Sequence, residues 1–371
     1  MNTISRHPLF DRSKVIMRPL AQRKNRNRVE QQVSPATEPN VLSASTLKII
    51  TGVASRIQQA KQNRKAVILA FGAHTIKNGL GALLIRYLEQ NYVTHLATNG
   101  AGVIHDWEFA YQGETSEHVQ ENLSRGEFGN WQETGFYINL ALIAGAYNGL
   151  GYGDSVGRFI AQDEIDIPTS SALQNEIANT YQSNPRHAAA AADFLDTINR
   201  HGLQSGTVRV NHAYKQFSIQ AAAYRLGIPF TAHPMFGHDI IYNHPVNLGA
   251  AVGRCAERDF LSFAHSVSQL DGGIYLSIGS AVMSPMIFEK SMSMAQNVAL
   301  QAGSPITNHR IVVVDLQKSS WDWSQGEPPE NHPDYYLRFN KTFSRSGGKM
   351  RYLQCDNRDF LQALYQMLEM M

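Results

Sequence analysis

The chain has 371 residues, 43% of them hydrophobic and 17% charged, with 33 Lys and Arg against 31 Asp and Glu and a formal net charge of +2. That is length for one large domain or two to three average ones, and apolar content for a substantial core, while so balanced a charge gives no field favouring nucleic acid or a membrane surface. Two cysteines, Cys255 and Cys355, are too few for a disulfide framework; with no apolar run of about 20 residues and no secretion signal, a cytoplasmic protein in a reducing compartment is expected.

Residues 1–44 are basic and then rich in Gln, Pro and Ser, with eight Lys and Arg against three Asp and Glu. So little to bury predicts a solvated, flexible arm outside the sheet. Residues 45–371 read as one domain. "SASTLKIITGVASRIQQAKQ" has a Ser or Thr cap and 3-4 apolar spacing, hence a helix. "KAVILAFGAH" follows as a buried strand ending in glycine, "NGLGALLIRYLEQNY" as a helix, and "THLATNGAGVIHD" as a second strand with its own glycine turn. "TSEHVQENL" within residues 113–135 reads as an ordinary helix start, its acids in the first turn. The stretch from "NGLGYGDSVGRFI" to "DFLDTINRHG" reads as a helical insertion over one edge.

Strand-like runs return at "TVRVNHAY", "IPFTAHP", "GGIYLSIGSAVM", "HRIVVVDLQ" and "KMRYLQCDN", separated by helical segments, and a terminal helix closes the chain. Strand and helix in repeated alternation predict an α/β fold: a Rossmann-like, doubly wound, mostly parallel sheet with helices on both faces.

In such sheets ligands bind beyond the carboxyl ends of the strands, where glycine turns let the backbone approach a phosphate. Phe71-Gly-Ala-His-Thr75, Thr98-Asn-Gly-Ala-Gly102 and Ser277-Ile-Gly-Ser280 all fall at that edge. None is a complete GxGxxG or P-loop pattern; together they point to a nucleotide site. His105-Asp106 lies beyond the second turn and faces the same edge, with Asp106 also able to serve as a first-turn acid.

His233, His238, Asp239 and His244 fall within a dozen residues. Imidazole and carboxylate are what a zinc or iron hydrolase needs, but the spacing matches no metal motif, and among fourteen histidines some clustering is expected by chance. Hydrogen bonding to a polar ligand is the favoured reading, with no metal. No Ser-His-Asp order with a nucleophile elbow is present. The aromatic segment "QKSSWDWSQGEPPENHPDYYLRFNK" ends in Lys341. An amine among aromatic faces, near a second cation such as an oxidised nicotinamide, loses the solvation that keeps it protonated and becomes a nucleophile. A lysine stem lying on rings with its ammonium in water is the structural alternative.

"FGAHTIKNGL", "IRYLEQNYVTHLATNGAGVIHD", "SIQAAAYRLGIPF", "DIIYNH", "GGIYLSIGSAVM" and "HPDYYLRFNK" occur in the order of, and together resemble, segments of the deoxyhypusine synthase family over residues 65–365. The spacing from Pro333-Asp334 to Lys341 is the most specific match. The resemblance implies an NAD-dependent homotetramer with shared active sites, in which spermidine is oxidised and its aminobutyl group passes through a lysine imine to a protein lysine or, as in homospermidine formation, a free amine. It makes Lys341 the covalent nucleophile and His244 the amine-orienting histidine. Along NAD it places His74, Thr75, Asn99, Gly100, Ala101, Asp239, Gly279, Ser280, Asp356 and Asn357. It puts His105, Tyr335 and Phe339 where the family has polyamine-binding acids and a tryptophan, with Asp322 as a replacement carboxylate. These departures imply retained chemistry and an altered amine substrate. A non-catalytic NAD-binding sensor or scaffold and a metal hydrolase using His233, His238, Asp239 and His244 stand as the alternatives.

Overall fold

The computed structural model describes residues 6–34, 37 and 39–371. Six parallel strands form the central sheet: β1 Val67–Phe71, β2 His95–Thr98, β3 Phe230–Ala232, β4 Ile274–Ile278, β5 Arg310–Asp315 and β6 Lys349–Gln354. Their spatial order is β6-β5-β4-β1-β2-β3. Read from the other edge this is 3-2-1-4-5-6, the doubly wound order in which a ligand crevice opens where the winding reverses, between β1 and β4.

Strand alternation divides the interior into two cores. Val67, Leu69, Phe71, Ile274, Leu276, Ile278, Val312 and Val314 face one side, with the helices Ala44–Gln62, Gly81–Glu89 and Asn357–Glu369. Ile68, Ala70, Tyr275, Ile311 and Val313 face the other, against Phe263, Phe288, Met292 and Phe343 from the helices Gly249–Ser268, Met283–Gln301 and Arg338–Ser344. β1 and β4 are buried at every residue, as a strand covered on both faces must be. Among the described residues no helix is long and apolar enough to cross a membrane.

Two regions differ from the sequence expectation. The run at 207–214 does not join the large sheet: Gly206–Arg209 pairs antiparallel with Glu164–Ile167 in a separate ribbon of the helical insertion. "TSEHVQENL" does not begin as a helix: Glu114–Glu117 is a strand, and the helix starts only at Val119. The strand is made by its partner, Asn25–Arg28, in antiparallel register Asn25 to Glu117.

That partner comes from the segment expected to be a solvated arm. It stays outside the central sheet, but its described residues pack on the body. Leu20 is fully buried, its N–H donates to Glu133 Oε2 at 2.6 Å, and around an isolated bridge to Trp131 the Arg18 N–H donates to the Asn130 carbonyl while the Arg18 carbonyl accepts from the Gln132 N–H. Arg12 reaches further, donating to the Tyr242 carbonyl at 2.9 Å and to Asn247 Oδ1 at 2.8 Å. Composition concealed this because the basic residues find acceptors one by one on a distant part of the chain.

Candidate functional site

At the switch point the turns after β1 and β4 touch. The Gly72 N–H donates to the Ile278 carbonyl at 3.1 Å, and a Cβ on Gly72 would lie 2.1 Å from the Gly279 carbonyl oxygen. Gly279 has φ +55°, in the left-handed region, and a Cβ there would meet Asn357 Nδ2 at 2.3 Å. Both positions therefore require glycine, one for space and one also for conformation.

A cleft of about 370 Å³ opens above them, lined by His74, Lys77, Asn99, Ala101, His105, Gly279, Ser280 and Val282 among others. The helices Gly100–Gln112 and Met283–Gln301 begin at its wall. Asn99 caps the first, its Oδ1 accepting from the Gly102 N–H at 2.9 Å, and Ser280 Oγ accepts from the Ser284 N–H at 3.2 Å in the first turn of the second. Two helix N-termini and Lys77 make this edge of the sheet electropositive. Thr75 is buried behind His74 with its hydroxyl unpaired.

A second cavity, of about 200 Å³, adjoins the cleft and shares Lys77, Ala101 and His105 with it. Its wall contains Arg23, Glu108, Glu117, His238 and Asp239. Arg23 donates to both Glu108 oxygens, at 2.8 and 2.6 Å, and both side chains are almost wholly buried. Burial alone would raise the Glu108 pKa, but Arg23 outweighs it and holds the carboxylate ionised.

Thr115 Oγ1 donates to Glu108 Oε2 at 2.5 Å and lies 2.8 Å from His105 Nδ1. Since the one Thr115 hydroxyl proton is given to Glu108, Oγ1 must accept from His105 Nδ1–H, which leaves Nε2 as a bare lone pair. Burial, reinforced by Lys77, Arg23 and His74 and opposed by Glu108, lowers the His105 pKa to about 4, so the ring is neutral near pH 7. Glu117 is fixed by the Asn122 amide at 2.6 Å and the Gly129 N–H at 3.1 Å.

Asp239 stands at the start of the helix Gly100–Gln112. Its Oδ2 has no partner and occupies the space a Cβ on Gly100 would need, 2.1 Å away. Burial raises its pKa to about 7, partly offset by the Ala101 N–H. A carboxyl raised above its unfolded value favours the fold when protonated, so its contribution is complete below about pH 4 and is lost as pH rises through about 7. Asp239→Asn is therefore expected to gain on the native protein by on the order of 4 kcal/mol between pH 4 and pH 8. Urea unfolding of both proteins across that range measures the difference; a flat difference would refute this account of Asp239.

The remaining residues lie elsewhere. His244 is buried against the helix Gln132–Tyr147, its Nδ1 accepting from the Val246 N–H at 3.1 Å and its Nε2 lying 3.3 Å from Gln132 Oε1. Burial lowers its pKa to about 4. Asp356 caps the terminal helix, accepting from the Arg358 N–H at 2.8 Å, while its neighbour Asn357 closes on Gly279. Asp322 caps a short turn and sits 3.8 Å from Arg351; Phe339 packs on Tyr352. His233 is a core residue bonded to Thr231 Oγ1 at 3.0 Å, with burial lowering its pKa to about 3. Among the described residues no three His, Cys, Asp or Glu side chains are grouped to hold a metal ion.

Lys341 corrects the expectation of a depressed amine. Its ammonium lies 2.6 Å from Glu327 Oε1 and 3.2 Å from the centre of the Tyr335 ring, and it lines neither cavity. Desolvation would lower its pKa, but hydrogen bonding to Glu327 and Tyr335 prevails and raises it. The sequence showed the aromatic ring and not the carboxylate fourteen residues away that arrives with it.

Arg23, Glu108, Glu117 and Lys77 escaped the sequence reading. Glu117 was legible only as a helix-start acid, and Glu108 lies four residues beyond Ile104 inside a helix; their common signal was the strand pairing that brings Arg23 to them.

The strand order and the cleft at its reversal define a Rossmann-like, doubly wound protein. No protein-family model matches the chain, and no curated protein does. Among solved structures it is similar to AgrE in its ternary complex with ornithine and NAD+ (14% identity, TM-score 0.42, 89% of this chain and 34% of that one). It is similar also to apo ArgZ, an arginine dihydrolase from the cyanobacterial ornithine-ammonia cycle (13%, 0.42, 87% and 33%), and to a conserved putative LOR/SDH protein from Methanococcus maripaludis S2 (13%, 0.43, 91% and 74%). The chain spans about a third of the AgrE and ArgZ chains. The expected kinship with deoxyhypusine synthase is corrected here: AgrE, ArgZ and the LOR/SDH protein are among the similar structures.

Proposed function

We propose that the chain is an NAD-dependent enzyme that exchanges a hydride with a small polar substrate held in the cavity beside the cleft. The observation that carries this reading is that cleft and cavity meet at His105, a neutral imidazole whose lone pair is aimed by Thr115, Glu108 and Arg23.

The cleft suits a dinucleotide. Gly72 and Gly279 keep its floor free of side chains, two helix N-termini favour a diphosphate, and Lys77 supplies a cation beside it. Bound NAD would take or give the hydride. The protein's share is positioning and proton transfer: oxidation of an alcohol or amine releases a proton as well as a hydride, and His105 Nε2 is the unprotonated base at the junction. Asp239 and Glu117 on the cavity wall favour a substrate bearing an ammonium, with Lys77 available to its anionic end.

Aminoalkyl transfer through a Lys341 imine lacks comparable support, because that amine is ion-paired with Glu327 and lines neither cavity. Titration of the full chain with NADH, followed by nicotinamide fluorescence, is expected to saturate. A screen of small amines and amino acids with NAD is then expected to yield NADH absorbance that falls about 10²–10⁴-fold in His105→Ala while NADH binding persists. Failure of NADH to bind at millimolar concentration would overturn the proposal; binding with no turnover on any substrate would leave a sensor.

A further inference from the structure

At the opposite end of the sheet, where β4, β5 and β6 begin, lies a trough of about 330 Å³ bounded by the helix Ala44–Gln62. Strand register fixes its floor. Ile274, Arg310 and Lys349 form one row across three strands, and Val312 and Arg351 continue on the same face two residues further on. Lys48 adds a fourth cation from the helix; of the apolar lining Ile49 is part-exposed, while Val53, Ile274 and Val312 are buried beneath it.

The charge is one-sided. No acidic residue lines the trough, although the whole chain carries 33 basic and 31 acidic residues. Among the described residues Lys48, Arg310 and Lys349 have no carboxylate within ion-pair distance, and Arg351 has only the half-exposed Asp322 at 3.8 Å. Arg310 and Lys349 are directly opposite on adjacent strands, an arrangement that destabilises a sheet. Charge on an edge strand discourages edge-to-edge pairing, but alternating signs would do that without the repulsion.

We propose that this trough is a second ligand site, separate from the switch-point cleft, for a phosphorylated small molecule with a flat apolar body such as a mononucleotide. Arg310, Lys349, Arg351 and Lys48 would hold the phosphate, and the body would lie against Ile49 and the aliphatic stems of these long cations. Its volume is at the lower end of small-molecule pockets, about 300–1,000 Å³.

The test is calorimetric titration with AMP of the full chain and of its Gly72→Ala variant, whose cleft floor is disturbed, with inorganic phosphate as the parallel probe. Saturable one-to-one AMP binding is expected in both, at least tenfold tighter than phosphate and at least tenfold weakened in the double variant Lys349→Gln/Arg351→Gln. Both positions are exposed, and circular dichroism checks the fold. Ligand-free Lys349→Gln is expected to melt no lower than the native protein, since it relieves the contact with Arg310. The proposal is overturned by absence of AMP binding at millimolar concentration, by an unchanged affinity in the double variant, by phosphate binding as tightly as AMP, or by binding confined to an oligonucleotide. A clearly lower melting temperature of Lys349→Gln would remove its premise.

Discussion

Arg23→Ala is expected to lower the unfolding free energy by about 3–5 kcal/mol, the range for breaking a buried ion pair by removing one partner. The penalty arises from what remains: Glu108 stays buried, with only Thr115 and Thr134 hydroxyls to donate to it. The second effect is chemical. Without Arg23 the Glu108 pKa rises with burial, the carboxyl takes up a proton, and the chain of donors that leaves His105 Nε2 bare is no longer imposed. Urea unfolding gives the first number and NADH-linked turnover the second. Arg23→Met combined with Glu108→Leu should recover much of the lost stability, since replacing both charges avoids the orphan, yet it should not recover turnover. A loss below about 1 kcal/mol in Arg23→Ala, as for an exposed pair, would contradict this account.

Gly72→Ala is expected to weaken NADH binding at least 100-fold while the protein still folds. The φ of Gly72 is −82°, so alanine meets no backbone strain there. Its Cβ would instead sit 2.1 Å from the Gly279 carbonyl, a backbone atom with no rotamer by which to withdraw. The ends of β1 and β4 would have to part, at a cost of about 1–3 kcal/mol, and they are the floor of the cleft. Fluorescence titration gives the affinity, and thermal unfolding gives the structural cost. Wild-type affinity in Gly72→Ala would show that a dinucleotide does not lie over these turns.

The strands of the sheet were legible because each is a short, continuously buried run ended by a turn, as at Val67–Phe71 and Ile274–Ile278. The same reasoning reached His74, Asn99, Ala101, Gly279 and Ser280, which share one cleft because parallel strands end on one edge. It did not reach the cavity beside it. That cavity depends on Asn25–Arg28 pairing with Glu114–Glu117, and neither four-residue segment carries the apolar alternation that marks a strand, Thr115 being the one β-branched residue in the two. The ion pair of Lys341 was not legible for a related reason: the fate of a charge depends on its partner, and Glu327 is supplied by an irregular connection whose path no periodicity describes.

The pairing of Asn25–Arg28 with Glu114–Glu117 also ties the cavity to the order in which the chain emerges. Arg23 is synthesised 85 residues before Glu108 and has no buried carboxylate to pair with until the helix of Glu108 and the second strand of the ribbon exist. The cavity cannot close in that interval, nor until His238, Asp239 and Ile240 of its wall have been made. Because the ribbon lies outside the central sheet, a fluctuation that peels it away would open the cavity to water while the sheet's own strand pairs stay made.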